Sequence, residues 1–251
     1  MKIKIVGKAV AFATCSAFLF ILSVSGCTNS TGGTTTPATV DSNVVNGIYK
    51  YSSSPFGKTY AEWSVAWWQW AYNMPATTSA GLIYHPLLDT AGTFSADGQT
   101  GSVFFIGGKI TNSRVAAVTR AATIPHSLAI IFPVIAMMKD QYSVLVSAPA
   151  DTLLRFIGNV GARAVSLDGI AIYPTATANS HLPSAQFTYS LPANSIYAYL
   201  GISCSPGTVS ASADGFYVML GALTIGSHKL VITNSTSDGR SQVITYNITS
   251  N

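Results

Sequence analysis

Few residues of this 251-residue chain can do acid–base, nucleophilic or metal chemistry: four histidines, nine carboxylates and three cysteines. A histidine and a carboxylate within hydrogen-bond reach can form a general base. By spacing, the best such offer is His85 with Asp89, four positions on. On a regular strand that separation puts both side chains on one face about 13 Å apart. Pro86 also allows a helical turn starting near His85, which would bring them onto adjacent turns. No nucleophile lies nearby in sequence. His85 is therefore expected to contact backbone or aromatic atoms of the core, and Asp89 to bond the backbone of the turn before Gly92.

The other carboxylates have structural readings. Asp97, Asp168, Asp214 and Asp238 each precede glycine and read as turn formers. Glu62 and Asp151 read as helix caps, and Asp41 lies in a polar leader. A glycosidase needs two facing carboxylates, and Asp89 with Asp140 is the pair left for it. The histidines at 85, 126, 181 and 228 are far apart, so three convergent metal ligands could come only from distant strands. No metal and no cofactor is expected. His228, in Gly-Ser-His-Lys-Leu, is expected at the start of a strand with its ring packed on a neighbour. The chain has no Gly-x-Ser-x-Gly elbow and no phosphate-cradling glycine loop, and Cys204 reads as an isolated thiol. Exposed aromatics can bind sugars, so Tyr197 and Tyr199, read on one face of a strand over 196–202, join His85 and Asp89 as binding candidates.

Of the elements that position these residues, the stretch from Thr59 to Pro75 dominates. It holds all four tryptophans and the single glutamate. Thr59 and Glu62 form a capping box, and Pro75 cannot continue a helix, so a helix is expected over about 60–73. Tyr60, Trp63, Trp67, Trp70 and Met74 then share one ridge, and Ala61, Val65, Trp68 and Tyr72 another. Small residues Ser64 and Ala71 lie between the ridges. Glu62, Ala66, Gln69 and Asn73 form the solvent strip, with Trp70 nearest its edge. A helix so nearly surrounded belongs to the core. Its tryptophans therefore read as packing residues rather than as a ligand platform.

The N-terminus carries an address. Lys2, Lys4 and Lys8 precede an apolar run from Ala9 to Val24, which ends in Val-Ser-Gly-Cys at Cys27. A basic start, a short apolar run and small residues before the cut mark a secretory signal, and the cysteine resembles a bacterial lipobox. Residues 1–26 are read as a lipoprotein signal peptide, Cys27 as the lipidated residue, and 27–44 as a flexible tether rich in Thr, Gly and Ser. Removing three lysines takes the basic count from 13 to 10 against 9 acids, a net charge of about +1. The alkaline isoelectric point thus belongs largely to the signal, and no basic cluster survives to meet nucleic acid. With Cys15 cleaved off and Cys27 acylated, Cys204 is left with no internal disulfide partner.

From Ser102 onward the chain reads as short strands punctuated by Gly, Asn and Asp turns. A second short helix is expected over about 152–157 and hairpins at Asp168-Gly169 and Asp214-Gly215. The expected fold is mainly β: an antiparallel β-sandwich or jelly roll over 45–251, one domain, with the Trp-rich helix packed on it.

Gly57-Lys58-Thr59-Tyr60-Ala61-Glu62-Trp63-Ser64 with Trp67-Trp68-Gln69-Trp70 resembles the signature of an exported bacterial protein family of unassigned function. The resemblance extends to His85-Pro86-Leu87-Leu88-Asp89, Leu167-Asp168-Gly169, Asp214-Gly215-Phe216 and Gly226-Ser227-His228, and covers most of 55–250. It implies a cysteine near Ser95 and another near Ala122 in relatives, both missing here, and it implies no activity. The expected role is that of a lipid-anchored bacterial envelope protein, non-enzymatic, binding or scaffolding a carbohydrate or an envelope protein. The alternative is a carbohydrate-active or metal-dependent hydrolase with its site near His85 and Asp89.

Overall fold

The computed structural model describes residues 43–111, 113–143, 158–173, 181–183 and 186–251. The segment read as a signal peptide, Cys27, most of the stretch read as a tether, Asp151 and the helix expected over 152–157 lie outside the described residues.

The capping box forms: the Thr59 N–H donates to Glu62 Oε2 at 2.7 Å, and the Glu62 N–H to Thr59 Oγ1 at 3.3 Å. Helix α1 spans Tyr60–Asn73 and stops before Pro75, with Met74 already extended. All four tryptophans are buried. Trp70, placed nearest the edge by helical periodicity, is no more exposed than Trp68. The turn at 94–98 covers it, and its indole N–H donates to the Asp97 carbonyl at 3.1 Å.

Among the described residues, twelve strands build two sheets. The first contains β1 (Val44–Val45), β2 (Ile48–Tyr49), β3 (Val103–Phe105), β5 (Ala129–Asp140), β8 (His181–Pro183), β9 (Phe187–Leu191) and β10 (Gly207–Leu220). Val44, read as the end of the tether, is thus already in a strand. In this sheet β10 is central: β5 runs along one edge, while β9, β8 and β2 share the other. The second sheet has the order β4 (Val115–Ile124), β12 (Ser241–Ser250), β11 (Gly226–Thr236), β6 (Val160–Leu167), β7 (Ile170–Tyr173).

Strand alternation sorts side chains between two cores. Ile130, Phe132, Val134, Phe216, Val218 and Leu220 pack with Val118, Val165, Leu230, Ile232, Ile244 and Ile248 of the second sheet. Ala129, Ile131, Met138, Tyr217 and Met219 pack with the tryptophans of α1. The first sheet is therefore covered on both faces, which is why β5 and the end of β10 read as continuous apolar runs. The described residues form a β-sandwich with helix α1 layered outside it.

Several elements depart from the sequence reading. Most pairs are antiparallel, but β12 with β4 and β3 with β5 are parallel. Asp214-Gly215 is not a turn but lies inside β10. Glycine is needed there because a Cβ on residue 215 would sit 2.6 Å from Ala136 Cβ on the neighbouring strand. Pro133 lies inside β5 without ending it, with a register shift opposite Phe216/Tyr217 that absorbs the missing N–H. The strand expected over 196–202 is instead a single helical turn, α2 (Ile196–Tyr199), capped by Ser195 Oγ accepting from the Ala198 N–H. Tyr197 and Tyr199 consequently point to different places, one buried and one exposed. Asp168-Gly169 does form the β6–β7 hairpin, both residues taking positive φ.

Candidate functional site

The segment His85–Asp89 is a helical turn: the Leu88 and Asp89 N–H groups both donate to the His85 carbonyl, at 3.1 and 3.0 Å. Pro86 in its first position needs no acceptor for an N–H. The two side chains do not pair. His85 is fully buried, with Nε2 2.8 Å from the Ala71 carbonyl of α1 and Nδ1 3.1 Å from the Leu87 N–H. Those partners require a proton on Nε2 and a lone pair on Nδ1, which is the neutral ring. Burial, with Arg120 nearby, lowers its pKa to about 4. Asp89 spends its oxygens on the N–H groups of Ala91 at 2.8 Å and Phe94 at 3.2 Å. The ring docks the loop on the helix, and the carboxylate shapes the turn after it.

Behind this turn lies a residue that the sequence reading passed over. Arg120, on β4, is 1% exposed. Its Nε donates to the Asp89 carbonyl at 2.9 Å, its Nη1 to the Gly107 and Gly108 carbonyls and the Tyr246 hydroxyl at 2.8, 3.1 and 2.9 Å, and its Nη2 faces the Leu87 carbonyl at 3.4 Å. No carboxylate reaches it among the described residues. The guanidinium instead ties two loops to the second sheet through main-chain oxygens. Its signal was available, because in the alternation Val118, Arg120, Ala122, Ile124 it occupies an inward position.

In front of the turn is an open cleft of about 610 Å³, lined by Asp89 and Tyr199 with Ile83, Phe94, Lys109 and Leu200 among others. Tyr199 is 45% exposed, and Tyr84 packs edge-on against Phe94 at 5.2 Å. Two of the four binding candidates, Asp89 and Tyr199, therefore meet at one concavity. The other two, His85 and Tyr197, do not. Tyr197 donates to buried Asp140 at 2.8 Å, alongside Tyr189 and the N–H groups of Tyr142 and Ser143 at 2.8 Å. With the Ser143 hydroxyl at 3.2 Å, five donors hold that carboxylate, and burial beside it raises the pKa of both tyrosines. Asp140 thus belongs to a tyrosine cluster and not to a facing pair with Asp89.

Two of the other three histidines meet aspartate side chains. His181 Nε2 lies 2.7 Å from Asp214 Oδ1, and His228 Nδ1 lies 2.8 Å from Asp168 Oδ2. These contacts span 33 and 60 residues, so sequence proximity could not reveal them. His228 Nε2 also faces the Thr224 carbonyl at 2.8 Å. Both partners are acceptors, so the imidazolium is favoured and the His228 pKa rises, the Asp168 hydrogen bond being the largest cause. Asp168 in turn is lowered, and its Oδ1 accepts the Lys229 N–H at 2.7 Å. Leu167-Asp168-Gly169 and Gly226-Ser227-His228 are therefore two halves of one hairpin clamp.

Trp63 and Trp67 donate to the carbonyls of Pro55 and Ile106 at 2.9 and 2.7 Å, anchoring α1 to the chain on either side. Cys204 is a free thiol, half-buried, with Sγ 3.4 Å from Ser195 Oγ. Among the described residues no group of three or more His, Cys, Asp or Glu could hold a metal ion, and no helix is long and apolar enough to cross a membrane. No protein-family model, curated protein or solved structure matches the chain.

Proposed function

We propose that this is a lipid-anchored bacterial envelope protein, held through Cys27, with a non-enzymatic binding role and with carbohydrate as its ligand at the Asp89–Tyr199 cleft. The observation that carries the non-enzymatic reading is the engagement of both His85 ring nitrogens by main chain. The strongest acid–base candidate in the sequence is thereby a neutral packing residue. A hydrolase centred on His85 and Asp89 has that geometry against it.

The cleft itself supports the ligand class. Tyr199 and Phe94 offer aromatic faces, and Lys109 with the hydroxyls of Thr90 and Thr111 offers polar partners, at the same concavity. A sugar ring presents the matching combination of an apolar C–H face and a hydroxyl rim. The anchor rests on the Val24-Ser25-Gly26-Cys27 junction and the polar stretch that follows. Cys27→Ala should stall processing or move the protein from the membrane to the soluble fraction. A variant that matures and fractionates as wild type would overturn the anchor.

A further inference from the structure

A second concavity, which shares the wall 109–111 with the Asp89–Tyr199 cleft but is otherwise lined by different residues, opens where α1 and the first sheet meet the end of the second. It measures about 380 Å³. Its apolar lining includes Trp67 and Trp68 of α1 with Met138 on the same face of β5, and Ile135 and Met137 of that strand. Protein interiors pack nearly as densely as organic crystals. An apolar space of this size at a seam is therefore the kind of feature that ligands fill. Methionines suit a flexible apolar guest, because their unbranched side chains adapt to its shape.

The rim has one sign of charge. Lys109, Arg114 and Arg240 line it, and no aspartate or glutamate does. Asp238 stands nearby and offsets the rim in part. It pairs with Arg240 at 3.1 Å where both side chains are about half exposed, and it meets Arg114 only through its carbonyl, at 2.5 Å, which leaves Lys109 and Arg114 without a carboxylate partner among the described residues. Asn234 and Gln242 add polar side chains to the same lining. Apolar floor and cationic mouth together specify one ligand chemistry, a single acyl chain ending in an anionic head.

We propose that this seam binds a fatty-acid-like amphiphile, with the chain against Trp68 and Met138 and the carboxylate at Arg114 and Arg240. The guanidinium forks suit a carboxylate, and pairing with it in a partly desolvated mouth is stronger than the same contact in open water. This binding is independent of the carbohydrate reading, since Arg114, Arg240, Met137 and Met138 do not line the Asp89–Tyr199 cleft.

The test uses dodecanoate below its micelle concentration, with dodecyltrimethylammonium as a probe of equal chain length and opposite charge. All four tryptophans lie on α1 and two line the seam, so intrinsic fluorescence reports occupancy. Dodecanoate should give a saturable change with one molecule bound per chain by calorimetry, weakening as salt is raised. The ammonium probe should give none. Arg114→Gln with Arg240→Gln should weaken dodecanoate by about tenfold or more, the order expected for losing charge-assisted contacts. If the double variant loses its cooperative melt, Arg240→Gln alone reads the same effect, expected at about threefold. No saturable signal, equal binding of the cationic probe, or undiminished affinity in the folded variants would overturn the proposal.

Discussion

Replacing His85 by glutamine should change the pH dependence of stability more than stability itself. Glutamine keeps an N–H able to reach the Ala71 carbonyl but cannot titrate, and it gives up the acceptor for Leu87, about 1–2 kcal/mol at every pH. In the native wild type the ring stays neutral until about pH 4, whereas an unfolded chain protonates it near its ordinary value of 6.5. Between those values the unfolded state binds more protons, so this group's stabilisation is complete above pH 6.5 and is lost as pH falls towards 4. At about 1.36 kcal/mol per pH unit the whole gap corresponds to about 3 kcal/mol, and the interval from pH 8 to pH 5 to about 2 kcal/mol. Urea unfolding of both proteins at pH 8 and pH 5 measures it. Other titrating groups, His228 included, contribute equally to both and cancel in the difference. The wild type should lose about 2 kcal/mol more than the variant over that interval. Equal losses, or an NMR titration of His85 near 6.5, would refute a buried neutral ring bonded by main chain.

Two further predictions concern the core. The Trp67 N–H is bonded to a buried carbonyl, whereas the Trp68 N–H, facing the Tyr217 hydroxyl, has no acceptor at full hydrogen-bond geometry among the described residues, so Trp67→Phe should cost about 1–3 kcal/mol more than Trp68→Phe in thermal or urea melts. Either residue changed to alanine should cost about 3–5 kcal/mol. Arg120→Met would leave four main-chain carbonyls short of a donor and should cost about 3–5 kcal/mol. For a chain of this size that is a fall in Tm of about 6–20 °C. Arg120→Lys should not restore it, since an ammonium cannot span oxygens on two loops.

What could be read from the sequence, and what could not, divides along physical lines. Helix α1 was legible because its signals are local: Thr59 and Glu62 three apart, Pro75 at the end, and aromatic spacing between. The Asp168-Gly169 hairpin was legible for the same reason. Asp214-Gly215 carries an identical dipeptide yet sits in mid-strand, because Gly215 answers a close approach by β5 rather than a turn. The turn at Ile196–Tyr199 read as a strand because aromatics favour strands, and Ser195 as a cap was overlooked. Parallel pairing of β4 with β12 joins distant parts of the chain and leaves no local mark. Of the binding candidates, Asp89 and Tyr199 share a cleft only because α2 and the turn after His85 are packed side by side around Ala76, Leu88 and Ile196. The histidine–carboxylate pairs that do form leave no mark in spacing for a related reason. Spacing offers His85 with Asp89, a pair not expected to form and not formed, while pairing across strands joins His181 to Asp214 and His228 to Asp168.

The measurement that bears most directly on the proposed function follows the soluble Cys27→Ala protein by NMR as envelope-derived oligosaccharides are added, with the sugar monitored in the same tube. Resonances of Tyr199, Phe94 and the Asp89 turn should shift saturably while the oligosaccharide stays uncut, and Tyr199→Ala should weaken binding by about tenfold, the order of losing one aromatic contact. Cleavage of the sugar, or saturable binding that leaves those resonances unmoved, would contradict a non-enzymatic carbohydrate-binding cleft at this site.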